Sequence, residues 1–327
     1  MLSKLLKKQH DRAGLRTGNK LPVWSPMMKK FGRLLTAMVT PFDAKGKVDY
    51  AQAKKLAEAL LDSGSDGLVV SGTTGECPTL THEEKLRLFV EVKSAVGKRG
   101  TIIAGTGNYN TAESIELTKE AERAGVDGCL LVVPYYNRPT QDGLYAHFRA
   151  IAGATSLPCI IYNVPSRTVT SLAAETAVKL SQVDNIIGVK EASANFEQIA
   201  KIIQNAKRDF LVYSGNDGDT FPILCLGGYG VISVISHLVG LQFRQMIEDY
   251  IQGNIEKAAA AHRNLLPLVN ALFVVANPMP VKYALNYLGF PVGKPRLPLT
   301  EPDEKSKAVI EQTLKSYKID LPIAARA

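Results

Sequence analysis

The chain is poor in the residues that several kinds of protein require. Its four cysteines, Cys77, Cys129, Cys159 and Cys225, stand far apart and form no C-x-x-C pair. That argues against a zinc site or a disulfide framework and fits reduced thiols in a cytoplasm. The five histidines (His10, His82, His147, His237, His262) never fall at metal-ligand spacing, so a metal-dependent mechanism has little support. No apolar run approaches the roughly 20 residues that cross a bilayer, and a membrane role is not expected. The N-terminal segment also lacks the apolar stretch of a secretory signal.

A basic excess on the folded body is missing as well. The net charge of +8 looks like a hint of nucleic acid, yet residues 1–33 hold nine Lys or Arg against Asp11 alone, a surplus of eight that equals the whole chain's. The rest is formally neutral, with nothing to draw a phosphate backbone. Residues 1–33 read as a disordered basic extension, or as the product of an upstream start with Met27 or Met28 the usual beginning; an organelle transit peptide is the other reading.

What is present is a soluble globular composition, 46% hydrophobic and 21% charged, and a repeat. From residue 34 a short β-branched run, a loop and an amphipathic Ala/Leu/Glu/Lys-rich stretch recur. The eight runs are LLTAMVTPF (34–42), DGLVVSG (66–72), GTIIAGTG (100–107), DGCLLVVPYY (127–136), PCIIYNVPS (158–166), IIGVKEAS (186–193), FLVYSGNDG (210–218) and GVISVISH (230–237). Near-continuous Val/Ile/Leu runs mark parallel strands buried on both faces. Eight units predict a closed (β/α)8 TIM barrel over 34–237, since a doubly wound open sheet normally uses fewer. Residues 238–327 show no further strong strand, and QFRQMIEDYIQ and EKAAAAHRNLLPLV predict an appended helical region.

In such a barrel the chemistry sits at the C-terminal ends of the strands, and the unusual residues fall there: GTTGE (72–76), PYYNRP (134–139), YNVPSRT (162–168), Lys190 and SGNDG (214–218). An ammonium directly after Ile186, Ile187 and Val189 either reaches solvent or faces a pocket. A desolvated lysine loses its proton more easily and becomes an amine nucleophile. Thr73 and Thr74 between two glycines form either a tight turn or a cradle of N–H and O–H donors for a small carboxylate. Tyr162 is a packing residue or a proton carrier. Arg167 is a surface charge or a bidentate carboxylate holder. Tyr135 and Tyr136 are a solvent-facing pair or an interface anchor. GTGN (105–108) is a weak dinucleotide signal, because Asn110 stands where the third glycine belongs.

Taken together, GTTGE, PYYNRP, YNVPSRT and GVKEA, in this order and spacing, resemble the dihydrodipicolinate synthase family, now called 4-hydroxy-tetrahydrodipicolinate synthase. The match covers about residues 33–320 and includes PMPVKYAL (278–285). The wider superfamily of pyruvate-dependent class I aldolases, with N-acetylneuraminate lyase and the sugar-acid aldolases, shares the barrel, the Gly-Glu turn, the tyrosine and the lysine, and supplies the alternative reading. Arg167 and the Thr-Thr pair are what favour the synthase; a binding module without catalysis would be expected to lose Lys190 or Tyr162.

The resemblance implies a lyase of lysine and diaminopimelate biosynthesis that joins pyruvate and L-aspartate 4-semialdehyde through a Schiff base on Lys190, with no metal and no organic cofactor. It implies Tyr162 as proton donor and acceptor, Thr73 and Tyr136 as its relay, Thr74 and the backbone at Ile232 as pyruvate holders, and Arg167 on the second carboxylate. In the family the second tyrosine is lent by a neighbouring subunit of a homotetramer, a dimer of dimers. One departure is Asn216, where the family often has Asp. Inhibited members carry two small residues after Gly-Glu, two histidines three apart, and an Asn and a Glu after the third strand. This chain keeps His82, Glu113 and Tyr135 but has Cys77-Pro78, Lys85 and Tyr109 in the other places, which predicts weak or absent feedback inhibition by L-lysine.

Overall fold

The computed structural model describes residues 31–323; the basic extension falls almost wholly outside them. Eight parallel strands follow one another in chain order and close into a barrel: β1 (Leu34–Ala37), β2 (Gly67–Val70), β3 (Thr101–Gly105), β4 (Gly128–Val132), β5 (Cys159–Asn163), β6 (Ile186–Glu191), β7 (Leu211–Ser214) and β8 (Gly230–Ser233). Each lies inside one of the eight predicted runs. Closure is made by β1 on β8, with Leu35 opposite Ile232, so the sheet has no free edge.

The connections are helical: α1 (Tyr50–Asp62), α2 (His82–Val96), α3 (Thr111–Arg123), α4 (Gln141–Ala152), the short α5 (Pro165–Thr168), α6 (Ala174–Leu180), α7 (Phe196–Asn205) and α8 (Thr220–Cys225). Local chemistry fixes where they start. Thr81 and Glu84 form a reciprocal capping box at the head of α2, satisfying two backbone donors that would otherwise be unpaired. The GTGN stretch has a structural explanation. Asn110 caps α3 by accepting from the backbone N–H groups of Ala112 and Glu113, and a Cβ on Gly105 would lie 2.2 Å from the Ser71 carbonyl oxygen. The glycine lets two loops touch.

After β8 come α9 (Ser236–Ile251), α10 (Ile255–Leu272), α11 (Met279–Tyr287) and α12 (Glu304–Leu314). Helix α9 packs on β1 as well as on α10, and Arg244 on it bonds the Gly64 carbonyl and Asp66 at the base of β2. It therefore belongs at once to the ring of barrel helices and to the C-terminal helices that follow. Among the described residues no helix is long and apolar enough to cross a membrane.

The core has two shells. Between strands and helices lie the outward residues, such as Leu68, Ile102, Ile161 and Val189. Inside the barrel Leu35, Val69, Ile103, Leu130, Ile160, Leu211 and Ile232 fill the axis together with Tyr162 and with Tyr213, whose hydroxyl reaches down to the Gly32 carbonyl oxygen before β1. The alternation follows the two-residue period of a strand. It sends Val189 outward and Lys190 inward, into the layer that caps the packed core.

Candidate active site

Lys190 lies on β6 directly between Tyr162 of β5 and Tyr213 of β7 in the strand register. It is 5% exposed, and its Nζ stands 4.2 Å from the centre of the Tyr162 ring. Burial brings its pKa down from 10.5 to about 7; the charge of Asp217 opposes this and that of Arg167 adds to it. Burial leaves an ammonium poorly solvated there, so the neutral amine becomes accessible near neutral pH. The neighbouring Glu191 does not offer a counter-charge, because the strand alternation points it outward. There it is buried, accepts from Asn163 Nδ2, Gln198 Nε2 and the Ser193 N–H, and has its pKa raised by burial.

Tyr162 is also buried. Desolvation pushes its phenol up to about 12, against the charge of Arg167 and a hydrogen bond with Thr73. The phenol is therefore protonated at neutral pH and linked to a hydroxyl on the loop after β2. Arg167, on α5 just beyond β5, is exposed and donates from Nη2 to the Asn277 carbonyl oxygen at 3.2 Å. Thr74 is 3% exposed and accepts from Asn277 Nδ2 at 2.9 Å. Ile232 is buried in β8 with its side chain among the barrel-lining residues.

Thus Lys190, Tyr162, Thr73, Thr74, Arg167 and Ile232 gather at one end of one barrel. Tyr136 does not join them within the chain. It is 93% exposed, with φ +74, while Tyr135 turns inward against the Tyr109 ring.

Three features were not read from the sequence. Asp217, an ordinary turn residue in SGNDG, is buried and accepts from the Val234 and Ile235 N–H groups; burial raises its pKa despite the Lys190 charge. Glu76 and Lys282 form a buried ion pair at 2.8 Å. Glu76 also accepts from the Arg296 N–H, and Lys282 donates to the Thr40 and Lys294 carbonyl oxygens. Asn277 touches both Thr74 and Arg167. Lys282 lies within PMPVKYAL, but its partner is 206 residues away, and nothing local in the sequence signals a contact of that span.

Beside the GTTGE loop a cavity of about 200 Å³ is lined by Cys77, Pro78, Lys85, Tyr109, Glu113 and Tyr135 among others. These are the positions singled out for L-lysine, except His82, whose Nε2 pairs with Glu120 at 2.5 Å.

Residues 30–317 match the dihydrodipicolinate synthetase family model. The 4-hydroxy-tetrahydrodipicolinate synthase of Dehalococcoides mccartyi is 64% identical over 296 residues, 90% of this chain and 100% of that protein. That of Moorella thermoacetica is 56% identical over 286 residues, 88% of this chain and 98% of its own. The crystal structure of DHDPS from Cyanidioschyzon merolae with lysine bound superposes with a TM-score of 0.86 at 48% identity, covering 88% of this chain and 98% of that one. Fold and similarity agree, and the chain belongs to the dihydrodipicolinate synthetase family.

Proposed function

We infer that this chain condenses pyruvate with L-aspartate 4-semialdehyde to give 4-hydroxy-tetrahydrodipicolinate, as a lyase of lysine and diaminopimelate biosynthesis. The observation that carries the reading is the buried Lys190 amine, brought to a pKa of about 7 beside a buried phenol.

The neutral Nζ attacks the ketone carbon of pyruvate. Loss of water leaves a protonated imine, which is an electron sink: a proton leaves the methyl carbon and an enamine forms. Its carbon attacks the aldehyde of the second substrate, making the carbon–carbon bond, and the new alkoxide takes a proton. The substrate's own amine then attacks the imine carbon and releases Lys190. Each step moves a proton, and Tyr162, kept protonated by burial and bonded to Thr73, is suited to supply and recover it. Thr74 and the backbone at Ile232 hold the pyruvate carboxylate. Arg167, exposed and cationic at the mouth, takes the carboxylate of the semialdehyde.

Tyr136 points away from its own site. We read it as the residue that completes the Thr73–Tyr162 relay of a neighbouring copy, in a homotetramer built as a dimer of dimers. Its exposure supports that reading; its left-handed backbone belongs to the tight turn that the Asn137 N–H closes on the Tyr135 carbonyl oxygen, which holds the side chain outward. A cytoplasmic location agrees with four free cysteines, of which Cys129 and Cys159 are buried.

Borohydride reduction in the presence of pyruvate tests the centre of this reading. A three-carbon adduct is expected on Lys190 and none on Lys190→Ala; an adduct on another lysine would sink it. An aldehyde panel with trapped enzyme then separates the synthase from a sugar-acid aldolase, because only the former prefers a semialdehyde bearing the carboxylate that Arg167 grips.

A further inference from the structure

The loop that carries Thr73 and Thr74 is tied to a segment outside the strands at two places. Asn277 Nδ2 donates to Thr74 Oγ1 at 2.9 Å, and Lys282, on the helix that begins two residues later, pairs with Glu76 at 2.8 Å. The Asn277 backbone carbonyl meanwhile accepts from Arg167 at 3.2 Å. One residue therefore touches both groups assigned to substrate carboxylates.

The direction of the first bond matters. A hydroxyl has one proton and two lone pairs. Because Thr74 Oγ1 receives the amide N–H on a lone pair, its own proton is left to point elsewhere, and no protein acceptor for it occurs among the described residues. The reverse amide orientation would make Thr74 donate to Asn277 and leave it no proton for an anion. That orientation is disfavoured. Asn277 is 5% exposed and its Oδ1 is buried without a partner; turning the amide would leave both N–H groups unpaired in place of one N–H and the oxygen, and a buried orphan N–H is rarer than an under-satisfied carbonyl.

We propose that Asn277 is a positioning residue for the first substrate: its side-chain amide holds the Thr74 hydroxyl as a donor toward the pyruvate carboxylate, while its backbone carbonyl independently holds Arg167. This rests on the reading of Thr74 as a pyruvate holder. Side chain and main chain thus serve different substrates, so substituting the side chain perturbs one of them alone.

The test is a series of Asn277→Ala, Asn277→Asp, Thr74→Val and Asn277→Asp/Thr74→Val, with KM measured for each substrate, the half-saturating pyruvate in borohydride trapping, and the thermal midpoint. Asp is nearly isosteric with Asn but accepts only, so it draws the Thr74 proton onto itself and adds a negative charge beside the substrate. Asn277→Ala is expected to raise the pyruvate KM about 5- to 10-fold, the worth of one hydrogen bond. Asn277→Asp should raise it more, by about 30- to 100-fold, with the semialdehyde KM within about twofold. In the double variant the loss should fall short of the two single losses combined, since only the added charge of Asp acts on the substrate without passing through Thr74. A residue that only packs gives the opposite order, with Asp milder than Ala and both substrates affected alike; that order overturns the proposal. If Thr74→Val raises the pyruvate KM but neither Asn277 variant does, the proposal alone falls. A pyruvate KM unmoved by Thr74→Val removes the assignment of Thr74 and the proposal with it. Should Asn277→Asp not fold, Asn277→Ala with Thr74→Val, combined in one chain, decides by the same non-additivity.

Discussion

The two ends of the barrel are built by different rules. At the N-terminal end the chain turns into its strands through Gly64, Gly97, Gly125 and Gly227, all with positive φ, where glycine carries no steric penalty. The ion pairs there, Arg99–Asp62, Arg244–Asp66 and Lys93–Asp127, are partly or well exposed. At the C-terminal end positive φ angles fall, besides Gly46 and Gly293, on Ser71, Glu76, Tyr136, Arg138, Val169 and Ala194, each of which pays about 1 kcal/mol or more for that conformation. The ionisable groups are buried as well: Lys190, Glu191, Asp217, and Glu76 with Lys282. One end is built for stability. The other holds strained backbone and desolvated charge where substrates arrive, and the surrounding fold carries that penalty.

The contrast is open to measurement, and the largest effect belongs to Lys190. Lys190→Met should lose turnover altogether and yet gain stability, by about 2–4 kcal/mol near pH 7. The sign follows from the proton balance. The folded protein releases the Lys190 proton near 7 and the unfolded chain near 10.5, so between those values the unfolded state binds more protons and wild-type stability rises with pH. The Met variant should lack that slope in denaturant titrations, and an unchanged slope would mean Lys190 is not desolvated.

Next comes a matched pair of deletions, one per rim. Glu76→Ala strands Lys282, itself lowered to about 8 by burial, in a fully buried site and should cost about 3–5 kcal/mol. Asp62→Ala removes a pair whose side chains are 51% and 52% exposed and should cost no more than about 1 kcal/mol. Equal losses in urea melts would erase the distinction between the two ends.

Arg167→Ala should reduce kcat/KM for the semialdehyde by about 2–4 kcal/mol in transition-state terms while pyruvate trapping changes far less. Equal losses for both substrates would make Arg167 structural.

The pH profile sharpens the picture further. Below about 7 the kcat/KM for pyruvate should fall about tenfold per pH unit as Lys190 gains its proton. Asp217→Asn removes the charge that holds the Lys190 pKa up, so the inflection should move to lower pH; a move upward would show that Asp217 does not face Lys190.

The smallest effect concerns the cavity beside the GTTGE loop. Pro78 offers no N–H donor and Lys85 places a positive charge where an amino-acid cation would dock, so L-lysine should not half-inhibit initial rates below about 1 mM, a binding energy of ~4 kcal/mol. Glu113 on the same wall works in the other direction, and stronger inhibition would show that it prevails.

What the sequence made legible follows the same division. The barrel could be read because its strands are buried on both faces and so spell out Val, Ile and Leu without interruption. Lys190, Tyr162 and Arg167 could be read because polar residues at the ends of such strands are conspicuous. Asp217 could not, since aspartate in a glycine-bounded turn is ordinary until the fold turns it inward against two backbone N–H groups. Nor could Asn277, whose partner Thr74 is 203 residues distant and whose significance lies in the direction of one hydrogen bond. The limit of the helical region was blurred for a related reason: α9 is amphipathic toward two neighbours, the barrel and α10.

The span of that bond also imposes an order in time. A ribosome has already made Lys190, Tyr162 and both threonines when Asn277 and Lys282 are still unwritten, and Arg296, which closes on Glu76, comes later again. A nascent chain can thus hold every residue assigned to chemistry and still lack the fastening that aims Thr74. The molecule becomes competent only near the end of its synthesis, and a chain that stops between residues 237 and 277 has all eight strands and Lys190 but not the residue that aims Thr74.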